Sequence, residues 1–191
     1  MNVSSVKKQI PQYIFTPVSS GGNIIGLMKA FLDLKHQGFI QQLPTFIGVQ
    51  AEGCAPIAKA FALKKRKVQR IKQRETVAQA ITNPNPPGGN IVLKMIRNNG
   101  GMIIDVSDKE ILSAQKILAE LEGIFCLPAS ATTLAGFFKL SKRIKFDSKD
   151  RIILIITGSG LKGMKNLDCS EMNIQNSTLL KLEKTISSIL I

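Results

Sequence analysis

The residues best suited to chemistry lie in a short polar corner, Ser19-Ser20-Gly21-Gly22-Asn23. It follows an apolar run that predicts a strand at Tyr13–Val18, and it precedes a segment that predicts an amphipathic helix at 23–35. Small side chains and glycines let backbone N–H groups at a helix start approach a phosphate closely, and the helix adds about half a positive charge there. The corner therefore predicts an anion site, and a tight turn without a ligand is the alternative.

A second polar corner, Thr157-Gly158-Ser159-Gly160, follows the most apolar predicted strand, Arg151–Ile156. A continuous run of branched residues indicates a strand that is buried on both faces, as in a parallel sheet. Ligands of such sheets bind beyond the carboxyl ends of the strands, so we expect Thr157 to share a rim with the anion corner. Its hydroxyl could then bond to a ligand, and a cap or turn role is the alternative.

Strands and helices alternate along the chain, which predicts an α/β domain with a mostly parallel twisted sheet, flanking helices and right-handed crossovers. Further strands are predicted at Thr45–Gln50, Met102–Val106 and Ile124–Cys126, and further helices begin at Pro56, Asn90, the capping box Ser107–Glu110, and Pro128. A helical turn or two is expected at Glu75–Ile81, before a Pro/Gly-rich loop. We divide the chain into a polar lead-in at 1–12, the α/β domain at 13–165 and a tail at 166–191, with a helix predicted at 176–191.

The composition of the chain argues against several classes of protein. The chain has 191 residues, 44% of them apolar, which suffices for one domain with a substantial core. Its apolar runs are too short for a membrane span, and residues 1–12 lack the apolar core of a signal peptide. Three scattered cysteines and one histidine predict no metal site and a reduced, cytoplasmic protein.

The net charge of +13 raises the question of nucleic acid. Seven of the eleven residues at 64–74 are Lys or Arg, but no aromatic residue is interleaved with them. A single-strand binder needs aromatic side chains on which bases stack. The basic stretch therefore indicates a solvated face in preference to a nucleic-acid site.

With both corners in view, the sequence resembles the C-terminal half of threonine synthase, in the tryptophan-synthase-β-like (fold type II) group of pyridoxal-phosphate enzymes. Four segments carry the resemblance in order: Pro17–Asn23, Leu43–Pro56, Glu122–Ser130 and Thr157–Lys162. Between them, Thr76–Ile81 with Asn85-Pro86 is similar to the family's helix and asparagine-proline loop. The match covers most of residues 13–165, and the order and spacing of the motifs make it specific.

The resemblance implies pyridoxal 5'-phosphate as the cofactor, with the large-domain fold of these enzymes. It implies that the cofactor phosphate is held by Ser19, Ser20, Gly21, Gly22 and Asn23. Thr157 would offer its hydroxyl to the pyridine nitrogen, and a neutral hydroxyl suits elimination and replacement at the β or γ carbon of an amino acid. The implied reaction converts O-phosphohomoserine and water to threonine and phosphate, so the implied partner is a small amino-acid substrate.

Several residues depart from the family pattern. Ser20 replaces a residue that contacts substrate, and Thr82 stands where an arginine would bind a substrate phosphate. Leu127 replaces a glutamate, and Ser159 replaces a histidine. These differences weaken the assignment of the substrate but are compatible with the same cofactor. They leave open that the chain belongs to a related enzyme, such as a serine or threonine dehydratase or a cysteate-synthase-like enzyme.

The family's Schiff-base lysine lies N-terminal to the matched segments, and no lysine of this chain sits in a matching context. We therefore expect no catalytic residue in this chain, no catalysis by it alone, and a lysine-bearing N-terminal half as its partner. A fragment of a longer enzyme, a split subunit and a truncated gene product all stay open, as does a homo-oligomer. The alternative from another class is an inactive remnant of the fold with a basic binding surface.

Overall fold

A computed structural model describes residues 10–72, 75–166, 178, 181–182 and 186–187. Four strands form one parallel sheet: β1 (Tyr13–Pro17), β2 (Thr45–Ala51), β3 (Met102–Val106) and β4 (Ile152–Leu154). Their order is β3-β2-β1-β4, so the first strand of the chain lies inside the sheet. The predicted parallel α/β fold is confirmed. The predicted tail helix lies almost wholly outside the described residues, as does Cys169.

Between residues 10 and 166, the structure describes five α-helices beside the sheet: α1 (Gly22–His36), α2 (Pro56–Ala62), α3 (Gly89–Asn98), α4 (Asp108–Glu122) and α5 (Pro128–Ser141). Each begins within one residue of its predicted start, because glycine corners, N-terminal prolines and a capping box are local signals. Short 3₁₀ turns lie at Glu52–Cys54 and Gln79–Ile81, and a longer 3₁₀ segment at Gly160–Asn166 is kinked at Gly163. Of the turns predicted at Glu75–Ile81, only the last is helical. No helix in the described ranges has the length and apolar character needed to cross a bilayer.

Alternate residues of the strands divide the core into two clusters. Phe15 and Ile47 pack with residues of α4 and α5, whereas their neighbours Ile14 and Phe46 pack with residues of α1, α2 and α3. Successive side chains of a strand point to opposite faces of its sheet, which accounts for this division. Helices therefore pack against both faces of the sheet.

One strand prediction was wrong, and a second was right in position but wrong in its extent and its burial. Residues 124–126 form a single antiparallel bridge between Cys126 and Ser159 and no strand. The strand predicted at Arg151–Ile156 contracts to β4, which pairs only with β1 among the described strands. Ile153 is 42% exposed, so β4 is not buried on both faces. A run of branched residues reports the apolar character of a strand, but its burial depends on neighbours that lie elsewhere in the chain.

The predicted capping box at the start of α4 is confirmed. Ser107 Oγ accepts a hydrogen bond from the Glu110 backbone N–H at 3.3 Å, and Glu110 Oε2 accepts one from the Ser107 N–H at 2.8 Å. Burial acts to raise the pKa of the Glu110 carboxyl, but the bonds from Ser107 and the nearby Lys139 and Lys142 hold the pKa below its ordinary value. The carboxylate form is therefore the one that stabilises the helix start.

Replacing Glu110 by glutamine is expected to lower the free energy of unfolding by about 0.5–1 kcal/mol at neutral pH. Because the pKa is lowered on folding, this stabilisation is present above the unfolded-state pKa and is lost as pH falls through the folded-state pKa. Urea unfolding of both proteins between neutral pH and pH 3 measures the difference. Two stability curves that stay parallel down to pH 3 would contradict the assignment, because they should converge in acid.

Candidate functional site

The corner between β1 and α1 has the geometry of an anion site. Gly21 is the N-cap of α1 and adopts φ +101°, a left-handed conformation that favours glycine. Among the described residues no side chain caps this helix, and Ile25 donates the first helical hydrogen bond, to the Gly21 carbonyl at 3.1 Å. The N–H groups of the first turn are thus left for a ligand, at the positive end of a 15-residue helix.

The loop that precedes α3 clamps this corner from one side. The Gly88 N–H donates to the Ser20 carbonyl at 2.9 Å, and the Asn83 side-chain amide donates to Ser20 Oγ at 3.2 Å. A Cβ atom at Gly88 would lie only 2.7 Å from that carbonyl oxygen, so the close approach needs glycine. The asparagine-proline loop therefore supports the anion corner through Ser20 directly.

Thr157, which follows β4, lines the same cavity as the anion corner. A cavity of about 370 Å³ is lined by Thr157 together with the whole corner from Ser19 to Asn23 and by Ile81. The structure thus brings together all six residues that the sequence singled out: Ser19, Ser20, Gly21, Gly22, Asn23 and Thr157. They come from the ends of two neighbouring strands, as expected for the rim of a parallel sheet.

The donor set around this cavity fits a phosphate better than a cation. Among the described residues that line the cavity, no side chain carries a charge, so an anion would be held by backbone N–H groups and the helix dipole. A Cβ atom at Gly22 would meet no other atom within 4 Å, which shows open space beside the loop backbone. The corner is therefore a cradle in which a phosphate can lie against the main chain.

Two supporting residues were not predicted from the sequence. Gln50, 1% exposed, lies at the end of β2, where Oε1 accepts from the N–H groups of Ile57 and Ala58 at 2.9 and 3.0 Å. Its amide also donates to the Val18 carbonyl at 3.3 Å, just before the corner. Ser130, fully buried in α5, contacts Thr157. A polar residue at the end of a buried strand was the available signal for Gln50.

Neither described cysteine has the character of a nucleophile. Burial raises the pKa of the Cys54 thiol, although a hydrogen bond from the Asn83 backbone partly opposes it, and burial likewise raises the pKa of Cys126. Both thiols are free, buried and neutral at ordinary pH. Within the described ranges no cluster of three or more potential metal-binding His, Cys, Asp or Glu side chains occurs.

The fold and the site define an α/β protein with a cavity at the carboxyl ends of its strands, where the free N–H groups of a helix start face the hydroxyl of Thr157. The family model "Pyridoxal-phosphate dependent enzyme" matches residues 4–158, and the chain belongs to this family. The cofactor of this family is pyridoxal phosphate. The predicted resemblance is therefore confirmed at the level of the family.

Its relatives include threonine synthases. The threonine synthase of Methanocaldococcus jannaschii is 41% identical over 154 residues, which cover 81% of this chain and 38% of that protein. The threonine synthase of Methanosarcina acetivorans is 36% identical over 180 residues, which cover 93% of this chain and 44% of that protein. The chain thus spans less than half the length of these curated relatives.

Solved structures share the fold at lower sequence identity. A fungal L-serine ammonia-lyase from Rhizomucor miehei has a TM-score of 0.65 at 16% identity, covering 79% of this chain and 46% of that one. The processed form of threonine deaminase isoform 2 from Solanum lycopersicum has a TM-score of 0.61 at 17% identity, covering 93% and 44%. At these identities the comparison establishes the shared fold.

Proposed function

We propose that this chain is the cofactor-binding part of a threonine-synthase-type enzyme that converts O-phosphohomoserine and water to threonine and phosphate. The observation that carries the proposal is that the anion corner and Thr157 line one and the same cavity. The sequence identity of 41% and 36% to two threonine synthases supports the proposed type of reaction. In this proposal residues 13–165 form the cofactor-binding domain of a cytoplasmic enzyme.

Each site residue has a proposed role. Backbone N–H groups of Ser19–Asn23 and the dipole of α1 hold the cofactor phosphate, so its charge is balanced without a basic side chain. The Thr157 hydroxyl holds the pyridine nitrogen and fixes the rotation of the ring. Bound pyridoxal phosphate supplies an electron-withdrawing ring that stabilises negative charge on the substrate. Ile81 contributes an apolar wall to the cavity.

The lysine that binds the cofactor covalently is proposed to come from polypeptide outside these 191 residues. The described residues that line the cavity include no lysine and no other charged side chain. The outer edge of β4 has no strand partner among the described residues, and Ile153 beside it is 42% exposed. An open edge next to Thr157 offers main-chain hydrogen bonds and apolar surface to a lysine-bearing segment, in the same polypeptide or a separate one.

The cofactor site can be tested with the chain alone. The many surface lysines react with any pyridoxal aldehyde, so pyridoxine 5'-phosphate, which has no aldehyde, is the cleaner ligand. Calorimetry should show saturable 1:1 binding of pyridoxine 5'-phosphate, with binding of pyridoxine at least about tenfold weaker, because the loop recognises the phosphate. Equal affinities for the two would overturn the proposed site.

The proposed reaction is tested by supplying a polypeptide that carries the Schiff-base lysine. Release of phosphate from O-phosphohomoserine should be at the buffer background with this chain and pyridoxal phosphate. It should rise when the lysine-bearing region of a threonine synthase is supplied. Threonine formed by the chain alone would contradict the proposed division of roles.

A further inference from the structure

The hydroxyl of Ser130 lies at the centre of the contact between α5 and the corner after β4. Its Oγ accepts hydrogen bonds from the backbone N–H groups of Thr157 at 3.2 Å and of Gly158 at 3.0 Å. The same oxygen lies 3.0 Å from Thr157 Oγ1. Ser130 is fully buried, so no bulk water competes for these bonds.

The number of bonds determines the direction of the hydroxyl contact. A serine hydroxyl has two acceptor lone pairs and one hydrogen. The two backbone N–H groups occupy both lone pairs of Ser130 Oγ, so the Ser130 hydrogen is the one directed at Thr157 Oγ1. Within the described part of the chain, Thr157 Oγ1 has this one partner. The hydrogen of Thr157 is then left for the cavity, on a side chain that is exposed to it.

We propose that Ser130 is a positioning residue that makes Thr157 a hydrogen-bond donor, and so keeps the ligand atom facing Thr157 an unprotonated acceptor. The inference rests on the proposed function, in which that atom is the pyridine nitrogen of the cofactor. The chain of bonds runs from Ser130 to Thr157 to the ring, and each bond polarises the next. A buried serine thereby sets the protonation state of a ring that it does not touch.

Backbone hydrogen bonds at the start of α5 hold Ser130 in the position from which it contacts Thr157. It is the third residue of α5, whose first residue is Pro128, and its own backbone N–H donates to the Leu127 carbonyl at 2.9 Å. Leu127 in turn donates its N–H to the Gly158 carbonyl at 2.9 Å. The corner after β4 is therefore bonded to the start of α5 at Leu127 as well as at Ser130, so the hydroxyl direction does not depend on a mobile side chain.

The test uses pyridoxine 5'-phosphate labelled with ¹⁵N in the ring, which needs no lysine to bind. The ¹⁵N chemical shift of the bound ligand, followed against pH, gives the pKa of the ring nitrogen. Replacing Ser130 by alanine frees Thr157 to accept a hydrogen bond, so this pKa should rise by about 0.5–1 unit, roughly a three- to tenfold change in the protonation equilibrium. Ser130→Cys keeps the shape of the side chain with a somewhat larger atom and a weaker donor, and should give an intermediate rise.

A double-substitution cycle separates positioning from simple loosening of the site. Thr157→Val removes the hydroxyl and should raise the same pKa, and adding Ser130→Ala to it should then change nothing further. Thr157→Ser keeps the hydroxyl and should retain the low pKa. A pKa unaltered by Ser130→Ala and Ser130→Cys, with only the affinity reduced, would overturn the inference while leaving the proposed function standing. A failure of the unmodified chain to bind the phosphate ligand would overturn both.

Discussion

Replacing Gly21 by alanine is expected to weaken the binding of pyridoxine 5'-phosphate by at least about tenfold and to lower the free energy of unfolding by about 1–3 kcal/mol. Gly21 has φ +101°, where a residue with a Cβ is strained. A Cβ built there lies 2.8 Å from Val92 Cγ2 and 3.3 Å from the Gly88 carbonyl carbon. The alanine must therefore displace the clamp from α3 or turn the backbone amides away from the phosphate.

The matched control is Gly26→Ala in the same helix. Gly26 is exposed within α1, and a Cβ there meets no other atom within 4 Å. Alanine is the better helix former by about 1 kcal/mol, so this variant should be at least as stable as the unmodified chain and should bind the ligand equally well. Calorimetric titration and urea unfolding of both variants measure the two effects. Undiminished binding by Gly21→Ala would refute the role assigned to the corner.

Local signals made most of the fold predictable. The apolar runs at Tyr13–Pro17 and Thr45–Ala51, the prolines that begin α2 and α5, and the capping box of α4 each act within a few residues. The rim shared by Asn23 and Thr157 was also predictable, because parallel strands present their carboxyl ends to one edge. These features need no knowledge of distant contacts.

The supporting contacts of the site could not be predicted in this way. Gly88 and Ser20 are bonded through their backbones although 68 positions separate them, and Ser130 contacts a threonine 27 positions later. Nothing in the types of these residues distinguishes them from ordinary loop and helix residues. The burial of β4 failed as a prediction for the same reason, since edge and interior strands can have equally apolar sequences.

Gln50→Leu is expected to be the most destabilising substitution near the site, lowering the free energy of unfolding by about 2–5 kcal/mol. Leucine fills similar space but offers no hydrogen bond. The substitution leaves two buried N–H groups at the start of α2 and the buried Val18 carbonyl without their partner. Each unsatisfied buried group costs about 1–3 kcal/mol, and the apolar gain of leucine offsets only part of that sum.

The loss should extend to function, because Val18 directly precedes the anion corner and its carbonyl is held by Gln50. Gln50→Glu keeps an acceptor for Ile57 and Ala58, but it buries a carboxylate with one oxygen against the Val18 carbonyl oxygen, so it should also be destabilising. The matched control is Gln79→Leu. Gln79 is exposed, so this variant should change the free energy of unfolding by no more than about 0.5 kcal/mol. If urea unfolding ranked Gln50→Leu beside this surface variant, Gln50 would not tie α2 to the corner, and the corner would be held by the contacts of Ser20 and Gly21 alone.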